Sequence, residues 1–303
     1  VRTHQDWTTP SFDLPPVAAA VGPFPQRGFL AALCEVAPEG EPILLDGGDG
    51  LIALTLDERA VRMAGMADLT DYHTPLGSRG DELIADFVAG LPPGTHLDLD
   101  SLPLEAAEVL AKGLERAGID VDMRPHTLAA VVELPGDFAT YLEAIGKKQR
   151  HELRRKRRRY EEAVGEVVHE THLGAGWAFE EFVRLHRLAD GGKGEFMDEA
   201  RLALFARLAA LPGWRTDVLR ISDREQTAAC VFGYADADGY YLYNSSYDPA
   251  LSEGSPGVTL LGSMIERAIK ERRPRFDFLK GDEEYKFRLG SVARPLFRLR
   301  GTA

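Results

Sequence analysis

Apolar and polar positions change period several times along this 303-residue chain, and the changes mark its elements. The first 25 or so residues are rich in proline and polar side chains and predict an arm laid across the surface. PILLDGG and GLIALTLDERAVRMAG then alternate as short strands, with Asp46-Gly47-Gly48-Asp49-Gly50 as a tight turn of residues that tolerate positive φ. A helix near Asp81 to Gly90, a strand at Thr95 to Asp100, a helix from Leu104 to Ala117 and a strand near Ile119 to Met123 complete a mixed first half.

In the second half, the β-branched LAAVVELP predicts a strand. DFATYLEAIG predicts a helix running into a long basic stretch, with Leu142, Ile145, Leu153 and Tyr160 near one stripe. WAFEEFVRLHRLAD and MDEARLALFARLAAL are two more helical patterns, separated by the turn Gly191-Gly192-Lys193-Gly194. From Trp214 onward, WRTDVLRIS, TAACVFGYA and GYYLYNSSY read as strands, the last two joined by the hairpin turn Ala235 to Gly239. SPGVTLLGSMIERAIKERR is an amphipathic helix, RFDFLKG a buried strand, EEYKFRLG a short helix and ARPLFRLRG a last strand. Both halves share a meander, a helix and an acid-bearing strand (THLDLDSL, RFDFLKGD), which suggests a pseudo-duplication in an α/β fold with boundaries at 1–125 and 126–303.

Charge singles out one segment. Lys147 to Arg159 (KKQRHELRRKRRR) carries nine Lys or Arg and one acid, a local +8 in a chain of formal charge -12, so the remainder sums to -20. Such a run is either a docking surface for an anion or a strongly solvated helix. On a helix Lys147, Arg150 and Arg154 share one face, while the later arginines are placed to pair with the protein's own acids. Arginine forks suit phosphate. The acidic balance and the lack of an aromatic residue before Tyr160 argue against DNA. Cys34 and Cys230 stand apart with no metal-ligand spacing, so no metal is expected. No run of 18 apolar residues and no leader-like stretch occur, which predicts a cytoplasmic protein without a membrane span.

Candidate chemistry concentrates between Tyr240 and Gly290. A strand ending in Tyr243-Asn244-Ser245-Ser246-Tyr247 leads to Gly254-Ser255-Pro256-Gly257 at the start of a helix, where unpaired N–H groups and the helix dipole favour an anion, or where Ser255 simply caps. Asp277, between two phenylalanines, points away from them into a polar cleft or solvent and can serve or orient a base. Lys286 can stabilise a developing oxyanion.

The segments KKQRHELRRKRRRYEE and SYDPALSEGSPGVTLLGSMIERAIKERRPRFDFLKGDEEYKFRLG, with the closing strand, resemble the acyltransferase domain of the GNAT superfamily in CelD-like polysaccharide-biosynthesis proteins, related to the FemAB peptidyltransferases. The resemblance covers about residues 127–303. It implies a GNAT-type mixed, mostly antiparallel sheet flanked by helices, in two pseudo-repeated lobes of which the first is degenerate. It also implies acyl transfer from acyl-CoA, as acetyl-CoA, to an amine or hydroxyl of a sugar, nucleotide-sugar or cell-envelope precursor. Gly254, Ser255, Gly257, Lys147, Arg150 and Arg154 would hold donor phosphates, although Leu251 to Gly257 fits the usual (Q/R)xxGx(G/A) loop only in part. Asp277, Lys286 and Tyr285, the last as an acid toward the leaving thiolate, would be catalytic. Tyr247, Asp282 and His73, the last lining a cleft between the halves, would meet the acceptor. Two alternatives stand beside this: a FemAB-like ligase with aminoacyl-tRNA as donor, and a GNAT-like binding protein without catalysis.

Overall fold

The structure, a computed structural model, describes residues 2–4, 7–36, 40–189, 192–224 and 226–303. The chain forms two compact units, one of residues 1–129 with 294–303 and the other of residues 130–293.

The first unit runs β1 (Arg2–His4), α1 (Arg27–Val36), β2 (Glu41–Asp46), β3 (Gly50–Asp57), β4 (Ala60–Met63), β5 (Leu76–Gly77), α2 (Gly80–Val88), β6 (His96–Leu102), α3 (Leu104–Arg116) and the larger part of β7 (Asp122–Glu133). Strands β1 to β4 form an antiparallel meander, and β6 lies parallel to β4 through Ala60↔His96, Val61↔Leu97 and Arg62↔Asp98. The N-terminal residues depart from the predicted surface arm. Ala18, Val21 and Phe24 are buried, Val17 N–H donates to Pro75 O at 2.9 Å, and the Thr9 and Ser11 hydroxyls both donate to the Asp46 carboxylate. Two hydroxyls satisfy an acid that is 9% exposed, and this turns a polar segment into part of the interior. Helix α1, missed in the sequence, buries Phe29, Leu30 and Leu33.

The second unit continues with α4 (Phe138–Ala144), α5 (Gly146–Val164), β8 (Val167–Leu173), α6 (Trp177–Arg187), α7 (Gly192–Phe196), α8 (Glu199–Ala209), β9 (Trp214–Ile221), β10 (Gln226–Ala235), β11 (Tyr240–Tyr247), α9 (Pro256–Lys270), β12 (Arg275–Lys280) and α10 (Glu284–Arg288). Of the Gly-rich turn expected at 191–194, Gly191 lies outside the described residues and the rest opens α7. Strands β8 to β11 pair antiparallel in chain order. β12 pairs parallel with β11 at Tyr240↔Phe276 and Tyr241↔Asp277, and β11 runs on to Tyr247 without further β12 partners, so the two strands part there. The last strand, β13 (Val292–Thr302), returns to the first unit and pairs antiparallel with β6 from Phe297↔Leu102 to Thr302↔His96.

Each unit therefore repeats one succession: an antiparallel meander, a helix, and a strand parallel to the meander's last. A backbone detail repeats too. Near the end of that parallel strand a non-glycine residue is left-handed, Ser101 (φ 58°) in β6 and Leu279 (φ 60°) in β12. The described pairings are antiparallel apart from these two parallel contacts, with helices on the sheet, which is the mixed architecture expected.

Two glycines, Gly262 within α9 and Gly254 in the turn before it, seat α5. A Cβ at Gly262 would stand 3.0 Å from Leu153 Cδ1, and one at Gly254 3.0 Å from Tyr160 Cδ2. Leu153 and Tyr160 are both buried, so the apolar positions inside the basic run fix how the helix is rotated. The expected continuous helix is broken between α4 and α5 at Gly146 (φ 82°). Among the described residues no helix is long and apolar enough to cross a membrane.

Candidate functional site

Beyond the point where β11 and β12 part, the chain turns through Asp248, whose carboxylate caps a short 3₁₀ turn at Ala250 N–H (2.9 Å), and reaches α9. Ser255 at the head of α9 is left-handed (φ 67°), and its hydroxyl makes no capping bond. The N–H groups of Gly257 and Val258 have no acceptor among the described residues, while Thr259 N–H already donates to Ser255 O (3.2 Å). A Cβ on Gly257 would meet nothing within 4 Å, so this turn opens outward. Uncapped, unobstructed N–H groups at the positive end of a 15-residue helix suit an anion.

Val258 also lines a cavity of about 480 Å³ inside the second unit, with Lys148, His151 and Lys156 of α5, and Tyr285 and Arg288 of α10. The cationic wall is thus the face Lys148–Glu152–Lys156, one residue round from the face of Lys147, Arg150 and Arg154 expected to hold phosphate. Leu153 explains the difference: packing it on Gly262 brings its helical neighbours, Gln149 and Lys156, to the cavity. Lys147 and Arg154 are exposed outside the lining, and Arg150 is half-buried. The later arginines do pair with acids of α5 itself: Arg155 with Glu152 (2.6 Å), Arg157 with Glu161 (3.1 Å) and Arg158 with Glu162 (3.5 Å). Lys147, Lys148, Arg150, Arg154 and Arg159 make no ion pair among the described residues.

The expected catalytic residues have distinct settings. Asp277 is 2% exposed, and its Oδ1 accepts Leu279 N–H at 2.7 Å. It faces neither solvent nor an open cleft; its carboxylate underpins the left-handed turn at Leu279. Its strand neighbour Arg275 pairs with Glu133 (2.7 Å). Lys286 is 3% exposed, with Nζ 2.6 Å from Lys280 O, 3.5 Å from Gly281 O and 2.9 Å from Glu283 Oε2, so its ammonium hydrogens are directed to the 280–283 turn. Burial opposes ionisation of Glu283, but the bond from Lys286 prevails and holds the carboxyl below its usual range. Tyr285 lines the cavity and packs edge-on to Phe278; burial, then the charge of Glu283, pushes its hydroxyl up to about 12. It remains a phenol at neutral pH, able to donate a proton.

Gly254 (φ 90°) lies against Tyr160, and Tyr247 and Asp282 are exposed. His73 is in the first unit and buried, with Nδ1 2.8 Å from Asp100 O.

A polar cluster missed in the sequence lies within the second unit. Asp217 of β9, fully buried, accepts from His169 Nε2 (2.8 Å), Tyr240 Oη (2.8 Å) and the Thr171 hydroxyl, with Arg215 Nε at 3.3 Å. Arg215 lies over the Tyr240 ring and pairs with Glu271 (3.1 Å). Burial would raise the Asp217 carboxyl, but His169, Arg215 and Thr171 together hold it below its usual range. The only signal in the sequence was an acid in the strand WRTDVLRI, two residues after Arg215 and just before the apolar Val218-Leu219.

Residues 147–287 match the family profile described as an acetyltransferase (GNAT) domain. No curated protein matches the chain in sequence. Among solved structures, FemX superposes with a TM-score of 0.64 at 8% identity over 98% of this chain and 97% of that one. L-PGS from Bacillus licheniformis gives 0.60 at 12% identity, over 94% and 93%. The C-terminal DUF2156 domain of a candidate lysylphosphatidylglycerol synthetase from Agrobacterium fabrum gives 0.61 at 12% identity, over 90% and 87%. At these identities the likeness concerns the fold. The segment 147–287 is therefore similar to GNAT acetyltransferase domains, and the chain has the mixed, mostly antiparallel GNAT-type fold.

Proposed function

We propose that the second unit is an acyltransferase that takes its acyl group from acyl-CoA, as acetyl-CoA, and passes it to an amine or hydroxyl of a sugar, nucleotide-sugar or cell-envelope precursor of the kind handled by CelD-like proteins. The observation that carries this reading is the uncapped N-terminus of α9 opening beside a cavity walled by Lys148, His151 and Lys156. Gly257 and Val258 N–H groups would hold one donor phosphate, and the α5 lysines would neutralise its charge, with Gly254 and Ser255 shaping the loop and Lys147, Arg150 and Arg154 drawing the donor in. Tyr285, still protonated at neutral pH, would donate to the departing thiolate. Asp277 and Lys286 act by shaping the loop next to the reacting groups, Asp277 through Leu279 and Lys286 through Lys280; Tyr247 and Asp282 are proposed contacts to the acceptor. Isothermal titration with acetyl-CoA and longer acyl-CoAs tests the reading: saturable binding that is weakened in Lys148→Glu supports it, and no binding of any acyl-CoA refutes it.

One observation favours a second donor, aminoacyl-tRNA. Six cations without an ion pair among the described residues, Lys156 included, are spread from Lys147 to Arg159, about 18 Å of helix at 1.5 Å per residue and more than the cavity wall uses. Contact with many phosphates would make binding fall steeply with added salt, whereas CoA would respond weakly.

A further inference from the structure

We propose that the outer edge of β8 is the docking surface for a second copy of this chain, the two β8 strands pairing antiparallel across a twofold axis at Thr171. The proposal is independent of acyl transfer. Strand β8 pairs with β9 along its whole length, from Val167↔Ile221 to Leu173↔Arg215, in a register without a bulge. Among the described residues no other backbone group bonds to residues 167–173, so the edge away from β9 is open. Sheet edges are ordinarily blunted by lysine, proline or a bulge. VVHETHL has none of the three.

The direction of its backbone groups follows from the residue before the strand. Ser222 N–H donates to Glu166 O at 2.9 Å, so in this unbroken register the even-numbered residues bond to β9, while Val167, His169, Thr171 and Leu173 turn N–H and C=O outward. A twofold at Thr171 sets Thr171 against its own copy and His169 against Leu173 of the second copy, all outward-bonding residues, for about six N–H···O bonds. Between them stands the closer, non-bonded pair: Glu170 faces His172 of the second copy, and His172 faces Glu170, with Cα atoms about 4.5 Å apart. A twofold at Glu170 would bring acid against acid, and one at His169 would lay Glu170 on Val168. Charge therefore selects Thr171.

The side chains along the edge suit burial between two copies. Val168, Leu173 and Trp177 are 42%, 77% and 42% exposed, large apolar groups left in water by one copy alone. Trp177 is held by the edge of the His172 ring, 4.6 Å between centroids, and by the Arg220 guanidinium 5.2 Å from its ring centre. Tryptophan and arginine are the residue types that most often anchor interfaces. Glu170 is fixed by His172 (3.0 Å) and Arg220 (3.4 Å) of its own chain, yet Glu170 and His172 each remain about one-third exposed, within reach of a partner. A Cβ on Gly174 or Gly176 would meet nothing within 4 Å, so the end of the strand is unobstructed. An unrelated extended segment could use the backbone groups, but the acid and imidazole two residues apart are matched by their own inverted copy, as an isologous contact requires.

Sedimentation equilibrium of the full chain between about 1 and 100 μM tests this. The native chain should associate to a dimer. His172→Glu sets acid against acid at both symmetric pairs and should weaken the dimer about thirtyfold, about 2 kcal/mol. Glu170→His, which only removes the attraction, should weaken it about fivefold. An equimolar mixture of the two variants restores acid against imidazole at both positions and should recover a mixed dimer close to the native one in Kd. Damaged folding cannot produce that recovery. A native chain that stays monomeric at about 100 μM, its edge left to another partner or to none, overturns the proposal. So do variants that dimerise as tightly as the native chain, or a mixture that stays as weak as its components.

Discussion

Replacing Lys286 by methionine keeps the length of a side chain that is 3% exposed and removes its ammonium. The Lys280 carbonyl oxygen, 2.6 Å from Nζ, then loses its charged donor; Gly281 O at 3.5 Å loses little, and Glu283, whose side chain is 57% exposed, turns to water. A hydrogen bond from a charged group contributes about 1.5–3 kcal/mol, and the Glu283 pair adds little because solvent screens it. Packing of the methionine returns part of this, so the expected loss is about 2 kcal/mol, or a fall in Tm of roughly 4–8 °C for a unit of this size. The Glu283 carboxyl is depressed in the folded protein, so its share of the stability is present at neutral pH and lost as pH falls below about 4.5 through the folded value. The gap between native protein and variant should therefore narrow slightly in acid. Calorimetric melts at pH 7 and pH 3.5 read both effects. A Tm within about 1 °C of the native value at pH 7 would refute the view that Lys286 holds the 280–283 turn. Normal stability with acyl transfer abolished would instead return Lys286 to the chemistry.

Three further outcomes are expected. Asp217→Asn should cost about 3–5 kcal/mol at pH 7, because Arg215 and His169 lose a buried partner, and should flatten the acid limb of the stability curve; an unchanged denaturation midpoint would contradict this. Gly254→Ala places a Cβ 3.0 Å from Tyr160 at φ 90°, and should cost about 1–2 kcal/mol while weakening donor binding, as urea titration and calorimetry would show. Tyr285→Phe should leave Tm nearly unchanged and slow acyl transfer about 10²-fold if the phenol is the acid; an unaltered rate removes it from that role.

Much of the second unit was legible in its sequence because local signals agreed there. The start of α9 follows from Ser255-Pro256-Gly257, the burial of β12 from Phe276 and Phe278, and the hairpin at Asp236 from residues that cap their own turn, with Asp236 Oδ1 accepting from Asp238 and Gly239 N–H. What escaped depended on partners distant in the chain. The rotation of α5, and so which lysines reach the cavity, is set by Leu153 entering the gap at Gly262, 109 residues away. Asp277 resembled a cleft carboxylate because alternation specifies a face and cannot say what covers it. The Asp217 cluster joins β8, β9 and β11, and no spacing within one strand announces it. Strand β8 itself was overlooked, since VVHETHL is half polar and lacks the clean alternation of a half-buried strand.

The return of β13 to the first unit has a consequence for how the protein is made. Residues 294–303 leave the ribosome after the whole second unit, yet β6 waits for them as its antiparallel partner. The first unit cannot finish folding while it is being synthesised, and until then its β6 edge can pair with another chain. Translation order and folding order are thus inverted here: the later half can close by itself, and the earlier half is sealed last.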